Sequence, residues 1–179
     1  SVDASLEAVE DMLTTLLDIS RLDAGAMKVE LSNFRVEDLF AQLRIEFAPM
    51  AREKGLDFSI LPSSLAIRSD RRLLHRLLQN FISNAIKYTP RGRVVVGARR
   101  RGTRVEIQVW DTGIGIPVSK QKIVFHEFER LAPAAKASAG AGLGLSIVER
   151  ISRVLEHEIG LRSRVGAGSM FSVRIPRVA

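Results

Sequence analysis

The chain has 179 residues, 46% of them hydrophobic and 26% charged, enough for one good-sized domain with a real core. It lacks cysteine, which excludes disulfides, thiol catalysis and thiolate metal sites, and no apolar run approaches the ~20 residues that cross a bilayer, so neither a secreted scaffold nor membrane contact is expected. The net charge of +7 raises nucleic acid as a partner, but the densest basic run, "GARRRGTR" (97–104), falls where two strands would turn, without interleaved aromatics or zinc ligands, and no nucleic-acid binding is expected.

In chain order, Val2, Leu6, Val9, Leu13 and Leu16 step by four and three, the rhythm of a helix packing on other helices, and Gly25 is a plausible stop. One heptad helix cannot bury that stripe alone, so part of a bundle is expected outside these residues. "MKVEL" (27–31) reads as a strand by alternation. Leu39, Leu43 and Phe47 mark a second helix over 36–53, ended by Gly55. "LDFSIL" and "LAIRS" are short strands flanking a "PSS" turn, and Asp70 sits where the N-cap of the next helix belongs, with Pro90 past that helix's end. "RVVVGARR" and "RVEIQVWD" read as an antiparallel hairpin. A loop-rich stretch over 111–142 holds one short helix around "KIVFHEF". "LGLSIVERISRVL" is a further helix, and "HEIGLRSR" and "SMFSVRIP" close the chain as two strands around "VGAG". The pattern predicts an α+β fold: a two-layer α/β sandwich, a mixed sheet covered on one face by helices, preceded by a long N-terminal helix.

Three stretches carry chemistry. In "QNFISNAIKYTP" (79–90), helical spacing puts Asn80, Asn84, Lys87 and Tyr88 on one face, while Phe81, Ile82, Ala85 and Ile86 fill the other. Carboxamide oxygens are hard neutral ligands suited to Mg²⁺, and an ammonium nearby can neutralise phosphate. In "DTGIGIP" (111–117), directly after a strand, Gly113 and Gly115 let the backbone turn close to a ligand, and Asp111 can accept a hydrogen bond from a ligand amine. In "GAGLGLSIV" (140–148), a Gly-rich loop runs into a helix start, an anion site suited to phosphate, yet it lacks the Lys-Ser/Thr of a Walker loop and the βαβ context of a dinucleotide fingerprint.

The order of these elements resembles the GHKL nucleotide-binding fold and, within it, the catalytic ATP-binding domain of sensor histidine kinases. "QNFISNAIKYT" is similar to the kinase N box, "DTGIGIP" to the first glycine box, "FHEFER" to the phenylalanine box and "GAGLGLSIV" to the second glycine box. "GAGSMFSVRIP" resembles the closing strand, and "LLDISRLDAG" the second dimerisation helix. The resemblance covers essentially the whole chain and implies residues 1–25 as part of the dimerisation and phosphoacceptor domain, with 26–179 as the catalytic domain. It implies ATP and Mg²⁺ as cofactors. Asn84 then corresponds to the Mg²⁺-binding Asn, with Asn80 one turn earlier as a second contact. Lys87 and Tyr88 meet the phosphates and the nucleoside. Asp111 reads the adenine amino group, with Gly113, Gly115 and Ile116 shaping its pocket, and Gly140, Gly142 and Gly144, with Leu143 and Leu145, form the phosphate-side loop. Phe125, Phe128, Arg130 and Lys136 fall in or near the lid, the phenylalanines serving equally well as hydrophobic anchors.

Hydrolases that resemble this fold carry a Glu one turn before the Mg²⁺-binding Asn, and here that position is Asn80. A carboxamide accepts no proton at neutral pH, so the base for hydrolysis is missing and a kinase is expected rather than an ATPase. His75, His126 and His157 all lack the acceptor context of the family, which implies a phosphoacceptor on a helix absent from this chain. The implied partners are a second copy, through the N-terminal helix of the intact protein, and a response-regulator receiver domain. A cytoplasmic location follows, whether the parent is soluble or membrane-anchored. The alternative is a degenerate domain serving only as a dimerising or partner-binding scaffold.

Overall fold

The helix that carries the polar stripe is built as its sequence dictates. In the computed structural model, which describes residues 2–25, 27–125 and 141–179, helix α3 spans Arg71–Lys87. Asp70 caps it: Oδ1 accepts from Leu73 N at 3.0 Å, filling one of the donors every helix start leaves over. Leu73, Leu74, Leu77, Leu78, Phe81, Ile82, Ala85 and Ile86 form its buried face. Before it lie α1 (Val2–Asp23), strand β1 (Ser32–Arg35), α2 (Val36–Lys54), β2 (Asp57–Ile60) and β3 (Ala66–Ser69). After it come β4 (Arg93–Arg101), β5 (Arg104–Asp111), the single turn α4 (Val118–Gln121), α5 (Ala141–Leu155), β6 (Glu158–Arg164) and β7 (Gly168–Val178).

Seven strands among the described residues form one mixed sheet in the order β1-β3-β7-β5-β4-β2, with β6 also paired to β7. β4–β5 and β6–β7 are the antiparallel hairpins that the alternation predicts. β2 runs parallel to β4, the only parallel pair recorded. α2, α3 and α5 pack on one face, where Phe40, Leu74, Phe81, Ile107, Phe171 and Val173 are sealed from solvent. The expected two-layer α/β sandwich is therefore the observed one, and the sheet is open.

Two expectations need correction. The strand read over 27–31 is absent: residues 28–31 have no regular structure and β1 begins at Ser32. Its partner β3 ends at Ser69, because Asp70 must turn to cap α3, so no strand remains to pair with 28–31. The Glu30 N–H is taken instead by Asp70 Oδ2 at 2.8 Å. Of the short helix expected around 122–128, residues 122–125 form turns and 126–128 lie outside the described residues; a separate helical turn precedes them at Val118–Gln121. Pro117 O starts the turn by accepting from Lys120 N and Gln121 N.

α1 has two apolar faces. Ile19 and Leu22 are buried and Leu16 packs against the core, holding the last turns of the helix on the domain. Asp23 and Asp18 reinforce this through Arg150 (2.8 Å) and Arg76 (3.5 Å). Leu6, Val9, Leu13 and Leu17 are each more than half exposed. Among the described residues, no helix is long and apolar enough to cross a membrane.

Candidate nucleotide-binding site

The last turn of α3 meets the end of β5. Asp111 is the final residue of β5, paired with Val94 on one side and Ser169 on the other. It is only 9% exposed, and burial pushes its carboxyl above the ordinary carboxylate range, opposed by two backbone donors. Both donors, Gly113 N at 2.9 Å and Ser169 N at 3.2 Å, bond to Oδ1. That pins the side chain and leaves Oδ2 as the oxygen that a ligand's amine can use.

The loop after Asp111 turns against the end of α3. Ile114 N donates to Tyr88 O at 3.3 Å, and a Cβ on Gly113 would lie 2.2 Å from that same oxygen. Only glycine fits there. Gly115 adopts φ +75, and a Cβ on it would reach 2.1 Å from Arg164 O. Beyond it, Ile116 N donates to Ser163 Oγ at 2.7 Å, and Gln121 Nε2 ties Ile116 O and Ser163 O together at 2.9 and 3.0 Å. The loop is thereby fixed to the β6–β7 hairpin.

Between these elements lies a cavity of about 170 Å³, with Asp111 and Ser169 on one wall and Asn84 and Tyr88 on another. Ile114, Gly115, Ile116, Pro117, Lys120, Val124 and Phe171 complete it. Phe171 is wedged between Phe81, at 5.3 Å between ring centroids, and Phe125, edge-on at 5.9 Å. Lys87 Nζ sits 5.8 Å from the Tyr88 ring centroid, and Lys54 Nζ caps the end of α3 by donating to Ile86 O and Lys87 O at 2.5 and 2.9 Å.

Of the expected site residues, Asn84, Tyr88, Asp111, Gly115 and Ile116 line one cavity, Gly113 packs between Tyr88 O and Asp111 Oδ1, and Lys87 Nζ lies 5.8 Å from the ring of Tyr88, which lines it. Asn80 is not among the described residues that line the cavity; its Nδ2 donates to Arg76 O at 2.8 Å, within its own helix, which leaves Oδ1 as an acceptor. Leu145 is a core residue of α5, and Gly142, Leu143 and Gly144 lie in that helix's first turn. Phe128, Arg130, Lys136 and Gly140 lie outside the described residues. Sequence reasoning missed Ser169, Phe171 and Lys120. The alternation of the last strand marks Phe171 as inward-facing, but nothing in the sequence aims Lys120 at the site.

The family model described as histidine kinase-, DNA gyrase B-, and HSP90-like ATPase matches residues 69–179, the stretch from β3 to the end of β7 that builds this cavity. The chain belongs to that family. Among curated relatives of this ATPase family, it is 35% identical over 175 residues to the autoinducer 2 sensor kinase/phosphatase LuxQ of Vibrio vulnificus. That alignment covers 92% of the chain and 20% of LuxQ, so the chain spans about a fifth of that relative's length. Among solved structures, full-length ShkA in complex with AMPPNP is 30% identical with a TM-score of 0.79, over 94% of this chain and 35% of that one. The catalytic domain of histidine kinase ThkA, in a nucleotide-free form, is 25% identical with a TM-score of 0.70, over 83% of this chain and 96% of its own.

The residues fit an adenine nucleotide. The pinned Asp111 leaves an acceptor at the end of a largely apolar slot, and the buried Thr89 Oγ1, which has no hydrogen-bond partner, lies on the same side of Gly113 as Asp111 Oδ1. For Mg²⁺ the donor set is a single carboxamide. Among the described residues no three His, Asp or Glu converge, so an ion at Asn84 must draw its other ligands from water and phosphate oxygens.

Proposed function

We propose that residues 26–179 are the ATP-binding catalytic domain of a two-component sensor histidine kinase, and that residues 1–25 are the second helix of its dimerisation domain. The observation that carries the reading is the junction of Asn84 and Tyr88 on α3 with the pinned Asp111 on β5, in one cavity. Mg·ATP would supply the transferable γ-phosphoryl group and the charge that shields it. Asp111 Oδ2 would accept from the adenine amine, and Ile116 and Phe171, which line the cavity, would pack on the base and exclude water. Asn84 offers its amide oxygen to the metal, while Lys87 and Lys120 neutralise phosphate charge. Catalysis on this side is positioning and charge neutralisation. Asn80 is no general base, because it is an amide whose NH₂ already serves Arg76 O. The nucleotide is therefore held intact for an outside nucleophile.

The phosphoryl acceptor is a His outside these 179 residues. Of the chain's three histidines, His157 is buried against Ser69 at 2.7 Å, His75 Nε2 is bonded to Glu46 at 2.7 Å, and His126, whose sequence context does not resemble the family's acceptor, lies outside the described residues. The exposed row Leu6, Val9, Leu13 and Leu17 is the face on which a second copy would complete a helical bundle. A receiver domain is the downstream partner, and the cytoplasm the working compartment. Calorimetric titration with a non-hydrolysable ATP analogue tests the reading: saturable binding that weakens without Mg²⁺ is expected, and its absence leaves the scaffold alternative standing.

A further inference from the structure

The face of the sheet that no helix covers has a definite pattern. Register places Val95, Trp110, Met170 and Arg162 side by side across β4, β5, β7 and β6. The next row outward is Gly97, Gln108, Ser172 and Gly160, and the third is Arg99, Glu106, Arg174 and Glu158. The middle row, two glycines, a serine and Gln108, holds no large apolar side chain between an aromatic edge and a charged one, and Leu61 Cδ1 lies over its Gly97 end. At about 4.8 Å per strand the trough is about 14 Å long, room for a short peptide segment.

Each edge is prearranged. Trp110, the chain's one tryptophan, is 49% exposed, yet its Nε1–H donates to Gln108 Oε1 at 2.9 Å. Gln108 Nε2 in turn donates to Glu106, whose other oxygen accepts from Arg174 Nε at 2.9 Å. These bonds hold the indole still, so little freedom is lost when something packs on it. On β4 to β7 the face carries seven arginines (93, 99, 101, 104, 162, 164 and 174) against two glutamates (106 and 158). Arg101, Arg104 and Arg174 pair with those glutamates. Arg99, Arg162 and Arg164 form no ion pair among the described residues, and Arg162 and Arg164 line a cleft of about 320 Å³ with Trp110 and Met170.

We propose that this sheet face docks an acidic protein segment bearing one large apolar side chain, which packs on the exposed Trp110, backed by the buried Met170, while its carboxylates meet Arg162, Arg164 and Arg99. Charge complementarity selects the occupant, since unpaired guanidiniums flanking an immobilised aromatic are the usual anchors of protein interfaces. The cleft reaches Asp111 and Ser169 at the edge of the nucleotide cavity, whereas Trp110, Arg162 and Arg164 line only the cleft.

Trp110 is its own reporter. Titrating the chain with a glutamate-rich peptide holding one central Phe should give a saturable change in tryptophan emission that weakens as salt is raised. The double variant Arg162→Glu/Arg164→Glu should bind the peptide at least about 10-fold more weakly. Trp110→Ala, read by anisotropy of labelled peptide, should lose a comparable amount. Urea unfolding of both variants should match the native chain, which separates lost docking from misfolding. The proposal is overturned if emission never saturates, if charge reversal or salt leaves binding unchanged, or if a peptide with Ser in place of Phe binds equally well. Tighter binding of a single-stranded oligonucleotide, displacing the peptide, also overturns it.

Discussion

Asp111→Asn isolates one oxygen of the site. In the native chain Gly113 N and Ser169 N both donate to Oδ1. An Asn keeps that arrangement, because turning its amide around would aim an NH₂ at two backbone donors. Its Nδ2 then faces the cavity where Oδ2 stood. Folding should change little, whereas a ligand's amine now meets a donor instead of a charged acceptor. A hydrogen bond to a charged group is worth about 1.5–3 kcal/mol, so ATP-analogue affinity should fall by about 10- to 150-fold. Inosine triphosphate carries an oxygen where adenine carries the amine, and that oxygen can accept from Nδ2. Calorimetry on both proteins with both nucleotides should therefore show the ATP preference shrink or reverse. Equal losses for the two nucleotides, or unchanged ATP affinity, would refute Asp111 as the reader of the base. The pH profile gives an independent check. Burial raises the Asp111 pKa, so native-chain affinity should decline with acidification at higher pH than an ordinary carboxylate would dictate.

Three further predictions concern the scaffold around the site. Gly113→Ala puts a methyl 2.2 Å from Tyr88 O and should cost about 1–3 kcal/mol in chemical denaturation, whereas Gly97→Ala, with Leu61 Cδ1 at 3.6 Å, should be near neutral. Asp70→Ala removes acceptors for both Leu73 N and Glu30 N and should cost about 2 kcal/mol, measured by urea unfolding, with Asp70→Asn costing less. Burial lowers the His157 pKa from 6.5 to about 4, so the unfolded chain takes up a proton before the folded one does. That contribution is complete above pH 6.5 and declines by about 3 kcal/mol as pH falls to 4; a His157 ring NMR titration in the folded protein with a midpoint near 6.5 would contradict it.

What the sequence disclosed was mostly local. Asp70, the apolar face of α3 and Pro90 mark a helix that begins and ends where expected, and the alternation in 93–111 and 157–176 gives both hairpins. Long-range pairing was not legible. β2 and β3 are separated by a few residues and look like neighbours, yet β2 joins β4 and β3 joins β1 and β7. The length of β7 decides this, because its end at Arg177 and Val178 extends past β6 and offers β3 an edge. The misplaced strand at 27–31 fails for a related reason: alternation makes a strand only where a partner edge exists. Within the site, spacing put Asn80 and Asn84 on one face but could not tell that only Asn84 lines the described cavity wall, with the Asn80 NH₂ bonded to a helix carbonyl.

That difference between the two asparagines bears on the reaction. Both lie on the polar stripe of α3, one turn apart, and only Asn84 reaches the cavity. The end of α3 is fixed from three directions: Phe81 and Ile86 in the core, Lys54 on its last carbonyls, and the Gly113 loop against Tyr88 O. An Asn84 held this firmly suits orientation of a metal and its phosphates, which needs position and no proton. Activating water needs a second group near the phosphates that can take a proton, and the described wall of the cavity offers one carboxylate, Asp111, pinned at the base end by two backbone donors. The acid–base group thus stands where the purine would be read, and the phosphate end is furnished with an amide and ammonium groups. On the proposed reading, the described wall of the site stabilises charge at the phosphate end without supplying a base there, which suits holding ATP for transfer.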